Sequence, residues 1–179
     1  TLDFLDKVLD AGVRVLKIEG RGRSPEYVKV VTRVYRQAVD AWLNGEWSSE
    51  KLEQWNKDLS SVYNRGFWDG YYLGQKVGEW SKGYGSQATT KKTFVGTVTN
   101  YFKNIGVAEI KIETGNLTVG DRIYIMGTTT GVYEDTLEEI RVDLKTTDKA
   151  IKGEFCSIPT KSLIRRGDKV YVIEDIIPE

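Results

Sequence analysis

Two short groups of residues carry the chemistry this sequence can offer. The first is Glu19, Arg21 and Arg23, set around Gly20 and Gly22 in the run VRVLKIEGRGRSPE. A carboxylate and two guanidiniums on a glycine-rich turn can close into a structural ion-pair network or can face a ligand, and both readings are open. The second is Asn64 and Arg65, followed by Phe67 and Trp68. An amide and a guanidinium beside two rings suit substrate binding. The same Asn-Arg pair also suits local hydrogen bonds that end a helix and anchor the next loop. Neither group is a catalytic constellation. The chain has no histidine and one cysteine, Cys156. A His-based triad, an imidazole acid–base pair and a His-ligated metal site are thereby excluded. With no base partner for a serine nucleophile, peptide hydrolysis by this chain alone is not expected.

The elements that position these residues follow from spacing. Leu2, Leu5 and Leu9 recur at helical intervals and Gly12 is placed to stop that helix. Val13, Val15 and Ile18 then read as a buried strand. Ser24 is placed to cap the next helix, Pro25 fits its first position, and Glu26 suits its positive end. That helix is expected to run to about Asn44, with Val28, Val31, Tyr35, Ala38 and Trp42 on one stripe and Gly45 as terminator. Ser48 or Ser49 caps another helix, whose Leu52, Trp55, Leu59 and Val62 form a narrow apolar seam. The short connection makes the two a helical hairpin. A strand between helices belongs to a parallel sheet, yet no second such unit follows. The segment is expected to end a longer barrel; in this chain the first 20 residues are expected either to pair across copies through Val13–Ile18 or to depart from the conformation they have there.

Residues 66–84 are rich in rings and glycines, with Phe67, Trp68, Tyr71, Tyr72, Trp80 and Tyr84. Such rings can stack on bases or hold peptide, or can form core. Residues 85–92 are small and polar and read as a domain linker. From Thr93 the pattern becomes all-β. Strands are expected over residues 94–99, 107–112, 122–126, parts of 132–142, 154–158 and 169–173, with turns at 104–106, 115–120 and 167–168. The expected fold class is α+β: an N-terminal helical segment over residues 1–90, then a small six-stranded antiparallel β-barrel over 91–179.

Basic and acidic side chains number 26 each, so formal net charge is zero, which argues against a generic nucleic-acid binder. A single cysteine forms no internal disulfide and points to the cytoplasm. Apolar runs are too short for a membrane span, so no membrane partner is expected. Cys156 is expected to be a buried, inert thiol. Glu134, Asp135, Glu138 and Glu139 could attract a cation, but they lack fixed ligand spacing and read as a solvated strand face.

Two stretches resemble the U32 peptidase family of collagenase-like proteases: LKIEGRGRSPEYV with VYRQAVDAW after it, and Asn-Arg-Gly-Phe after LSSVY. Together they cover about the first 75 residues. The NLTVGDRI and RGDKV turns resemble the β-barrel of translation factors, as in the second domain of elongation factor Tu. The resemblance implies that residues 1–90 are the end of a βα barrel. It also implies that the family's metal- or cluster-binding cysteines lie upstream of Thr1, leaving no cofactor in this chain. Some family members are linked to hydroxylation of RNA bases. The expected function is a non-catalytic accessory lid that recruits a peptide, collagen-like or RNA substrate, with the missing N-terminal barrel as partner. The alternative is a stand-alone RNA- or ribosome-binding barrel.

Overall fold

The computed structural model describes residues 1–72, 74 and 85–176. It divides into two units, Thr1–Thr89 and Thr90–Pro178. The expected aromatic residues Trp80 and Tyr84 lie outside the described residues.

The first unit is helical. A 3-10 turn, Leu2–Phe4, leads into α1, Leu5–Asp10, and Gly12 ends it at φ +94°. Helix α2 is Pro25–Leu43 and α3 is Ser49–Ser61. Ser48 caps α3, its Oγ accepting from Lys51 N at 3.3 Å. Ser24 stands at the N-cap of α2, but its side chain makes no cap bond. The buried stripe of α2 is Val30, Val31, Val34, Ala38 and Ala41, whereas Val28 is exposed. The stripe is turned from the expected one because α2 buries residues against both α1 and α3, with Leu5, Leu9, Trp55 and Leu59 in the same core. Polar ties hold the edges: Trp42 Nε1 donates to Asp10 Oδ1 at 2.8 Å, and Asn56 Nδ2 to Asp3 Oδ1 at 2.7 Å.

Residues 13–20 are not a strand. The β-branched residues favour extended backbone, but a strand exists only by exchanging hydrogen bonds with another strand. The neighbours here are helices, whose backbone groups are already spent on themselves. Leu16 and Ile18 pack on the helical core, while Val15 is 83% exposed.

The second unit is an antiparallel sheet system with ten strands among the described residues, where six were expected. Eight form one sheet in the order β5-β4-β10-β1-β2-β9-β6-β7, and β3 pairs with β8. The strands are β1 Thr90–Phe102, β2 Val107–Ile112, β3 Asn116–Thr118, β4 Arg122–Gly127, β5 Gly131–Thr136, β6 Ile140–Val142, β7 Lys145–Thr147, β8 Lys149–Ile151, β9 Phe155–Pro159 and β10 Lys169–Asp175. Thr90, Lys91 and Lys92, expected in a linker, open β1. Register shifts at Phe94/Gly96 and Val98/Asn100 divide β1, which pairs with β10 along its first half and β2 along its second. Such bulges bend and twist a long strand. The hydrogen-bonded order does not close: β5 and β7 are its edges among the described residues.

Alternation builds the core. Ala108, Ile110 and Ile112 of β2 are fully buried, as are Ile123 and Ile125 of β4. They meet Leu117, Ile140, Ile158 and Val170 in one apolar cluster. One carboxylate shares this interior. Asp168 is 6% exposed, and its Oδ2 accepts from Thr130 Oγ1 at 2.6 Å and from Arg165 N at 2.8 Å. Its other oxygen lies where a side chain on Gly127 would go, 1.8 Å from an ideal Cβ. Gly127→Ala should therefore destabilise the chain by about 1–3 kcal/mol through overpacking. Asp168→Ala should cost about 1–3 kcal/mol by stranding its donors. Because the clash disappears with the carboxylate, the double variant should cost less than the sum. Urea unfolding of the four proteins measures this, and strict additivity would refute the wedge.

Candidate functional site

The turn before α2 and the chain leaving α3 meet at one pocket of about 310 Å³. Arg23 comes from the first and Tyr63, Asn64, Arg65 and Phe67 from the second. Tyr27 and Tyr35 of α2 complete its aromatic wall, over a floor that includes Val31, Leu59 and Val62. Helical spacing explains the tyrosines: Tyr27, Val31 and Tyr35 are four apart and share one face.

Arg23 lies with its guanidinium carbon 4.2 Å from the Tyr63 ring centre and 5.7 Å from that of Tyr27. A cation over a ring face at that distance is held by the ring quadrupole. Arg65 Nε donates to Tyr63 Oη at 2.8 Å. The hydrogen bond from Arg65, and secondarily that from Arg23, hold the Tyr63 phenol below its usual pKa, since both favour the phenolate. Burial pushes the Tyr35 phenol up, with smaller contributions from Tyr27 and Asp3.

Asn64 works locally as a brace. Its Nδ2 donates to Val62 O at 3.0 Å and Ser60 O at 3.4 Å, and its Oδ1 accepts from Gly66 N at 3.1 Å. Its carbonyl accepts from Gln87 N at 2.7 Å. These bonds fix the direction in which Arg65 and Phe67 leave the helix. Glu19 also acts locally, Oε1 accepting from Arg21 N at 2.7 Å across the turn. Glu19, Arg21 and Trp68 do not line the pocket. Trp68 instead packs edge-on to Tyr71, ring centres 5.0 Å apart. Of the seven candidates read from sequence, the structure gathers Arg23, Asn64, Arg65 and Phe67 and adds three tyrosines. Tyr35 lay on the stripe expected from spacing and Tyr27 did not, although two four-residue steps back from Tyr35 reach it; the partnership of Tyr63 with Arg23 was not legible, because it joins residues far apart in the chain.

Elsewhere the reactive groups are occupied. Cys156 is 1% exposed, and burial followed by the nearby Glu154 pushes its thiol up to about 12, which keeps it protonated and unreactive. Asp135 accepts from Tyr133 Oη and pairs with Lys161 at 2.8 Å, and Glu139 pairs with Arg141. Among the described residues no three His, Cys, Asp or Glu side chains are grouped to hold a metal ion. No helix among the described residues is long and apolar enough to cross a membrane.

The family model for peptidase family U32 matches residues 1–82, which contain the whole pocket. A collagenase of Porphyromonas gingivalis is 53% identical over 171 residues, covering 96% of this chain and 47% of the relative. An uncharacterized protease of Methanocaldococcus jannaschii is 35% identical over 164 residues, covering 90% of this chain and 40% of that protein. The tRNA hydroxylation protein P1 of Bacillus subtilis is 28% identical over 145 residues, covering 78% of this chain and 33% of that protein. The chain spans less than half the length of each of these relatives. The Gly-Arg-Gly-Arg turn with the helix after it, the Asn-Arg-Gly-Phe turn and the pocket between them all lie inside the matched region, and residues 1–82 of this chain are a peptidase family U32 region.

Proposed function

We propose that this chain is a non-catalytic accessory region that recruits substrate for chemistry carried by the rest of a U32 protein. One observation carries the reading: Arg23 and Arg65, from separate stretches, flank a single aromatic pocket whose lining contains no carboxylate among the described residues. Two guanidiniums on one aromatic pocket suit an anionic group on a substrate. The names of the relatives supply two substrate classes, polypeptide from the collagenase and RNA from the tRNA hydroxylation protein. The first partner is the remainder of the parent protein, with residues 13–18 as the segment that completes a sheet there.

A second reading, an RNA-binding β unit, has its own support on the sheet. Lys169, Thr97, Lys111 and Phe155 are opposite one another in register and so share a face. Lys111 lies over Phe155 at 5.5 Å and Lys169 over Phe94 at 5.6 Å. Cations and rings on one sheet face suit single strands. Glu113, just beyond β2, accepts from the Thr97 hydroxyl, so the face carries charge of both signs.

The isolated chain should show no turnover of casein or denatured collagen above buffer. It should retain denatured collagen or tRNA on an affinity column, and Arg23→Ala with Arg65→Ala should weaken that retention about tenfold, the loss of one or two charge-assisted hydrogen bonds. Cleavage that disappears on mutating one of the chain's own residues would overturn the accessory role, and retention indifferent to both arginines would overturn the recruiting one.

Exposed, unpaired strand-like backbone is also an invitation to self-association. In the absence of the rest of the protein, copies of this chain should associate through residues 13–18. Val15→Lys, at a position 83% exposed, should return the chain to monomer in sedimentation equilibrium without altering its melting. An unchanged mass distribution would rule that contact out.

A further inference from the structure

Another cavity, of about 470 Å³, lies wholly within the β unit. That volume is inside the range of small-molecule sites, about 300–1,000 Å³. Residues of two turns line it. The first turn joins β1 to β2 and brings Phe102 and Ile105. Ile105 N donates to Phe102 O at 3.2 Å, and Thr160 N donates to Gly106 O at 2.8 Å, which pins this turn to the end of β9. The second is the two-residue turn Asp143-Leu144 between β6 and β7, closed by the Val142–Lys145 pair. Val107 and Pro159, opposite each other in register, add to the apolar lining. Leu144 is the anomaly. Asp143 and Leu144 have φ of +50° and +65°, and among the described residues no other non-glycine residue has positive φ. A tight hairpin turn asks for positive φ at both positions, and glycine adopts it without strain. A leucine there brings its Cβ against the following carbonyl oxygen. Leu144 is 89% exposed, so burial within the fold offsets none of that strain. Ile105 is also exposed, at 70%. Backbone strain and exposed apolar side chains thus converge on one cavity, the combination that marks a binding position rather than a packing one.

The polar part of the lining selects the ligand. It consists of Glu139, Arg141 and Ser157. Arg141 donates through Nε to Glu139, and Ser157 stands opposite Arg141 in register. The pair carries no net charge, so a charged head group meets a like charge whichever sign it has. A hydroxyl suits both members: its O–H donates to the carboxylate while its oxygen accepts from Arg141 Nη or Ser157 Oγ. We infer that this cavity binds an uncharged alcohol or phenol with an apolar body, its hydroxyl at the Glu139–Arg141 pair and its body against Phe102, Ile105 and Leu144. The strained turn holds Leu144 out as one wall of the site. The cavity shares no residue with the Arg23 pocket, so the inference goes beyond the recruitment reading and does not rest on it.

Titration calorimetry of the 179-residue chain tests it with 2-naphthol, 2-naphthoate, 2-naphthylmethylammonium and phenol. At neutral pH 2-naphthol should bind about tenfold or more tightly than either ion, because neither ion satisfies both members of the pair. Phenol should bind several-fold more weakly, because it covers less apolar surface. Glu139→Gln removes the negative member and should shift preference toward 2-naphthoate. Leu144→Gly and Leu144→Asn should move stability and binding in opposite directions. Relief of the left-handed strain should raise the melting temperature, and loss of the apolar wall should weaken 2-naphthol several-fold. Because Leu144 is exposed, both variants should fold. The Arg23→Ala, Arg65→Ala variant should bind 2-naphthol as the parent does. Higher melting with unchanged 2-naphthol binding would make Leu144 a mere defect of the turn and overturn the inference. It would equally be overturned by 2-naphthol binding no tighter than the two ions, by a preference that Glu139→Gln leaves unmoved, or by loss of 2-naphthol binding in the double arginine variant.

Discussion

Every backbone N–H and C=O that leaves water must find a partner, and this requirement arranges both units. In the first unit the partners are four residues away along α2 and α3, which frees their side chains to make a core of Val30, Val34, Trp55 and Leu59. In the second unit the partners are across a ladder, and β1 serves two neighbours by bending at its bulges. Residues 13–20 are the place where the requirement is met by neither device. They lie between α1 and α2, with Val13 N donating to Val8 O at 3.4 Å and Leu16 and Ile18 packed on the helical core.

The pocket is a by-product of the same arrangement. A helix hairpin brings the start of α2 and the end of α3 to one end, so the residues just outside each helix become neighbours. Those residues are Arg23 on one side and Tyr63, Asn64 and Arg65 on the other. Asn64 spends its side chain on helix-end carbonyls and the next amide, and that rigidity is passed to Arg65. The cation–ring contact of Arg23 with Tyr63 then joins two stretches that share no secondary structure. Charge and rings gather where the ends of the two helices meet.

Much of this was legible in the residue pattern, and the failures have physical causes. Helices α2 and α3 announced themselves through spacing and through Ser48, Gly45 and Pro25. The long strands did so through alternation, as in residues 107–112. Strands β3, β7 and β8 did not, because three residues such as Lys145–Thr147 are too few and too polar to show a period. Val28 was assigned to the buried stripe and Val30 was not. A single helix cannot show which of two adjacent faces its partners will take. The run at Val13, Val15 and Ile18 has strand propensity without a strand partner, and propensity is a property of the residue whereas pairing is a property of the neighbourhood. The arginines were visible as chemistry, but their meeting at Tyr63 depended on the hairpin closing.

The lone thiol of Cys156 has a use of its own. It lies in the middle of β9, which pairs with β2 on one side and β6 on the other, and it is 1% exposed with its ionisation suppressed. An alkylating reagent has no second cysteine to attack and cannot reach this one while both ladders are intact. The labelling rate therefore clocks how often the sheet parts around β9, at one address, with no probe engineered into the chain. Nature has left this unit with a built-in stopwatch for its own local opening.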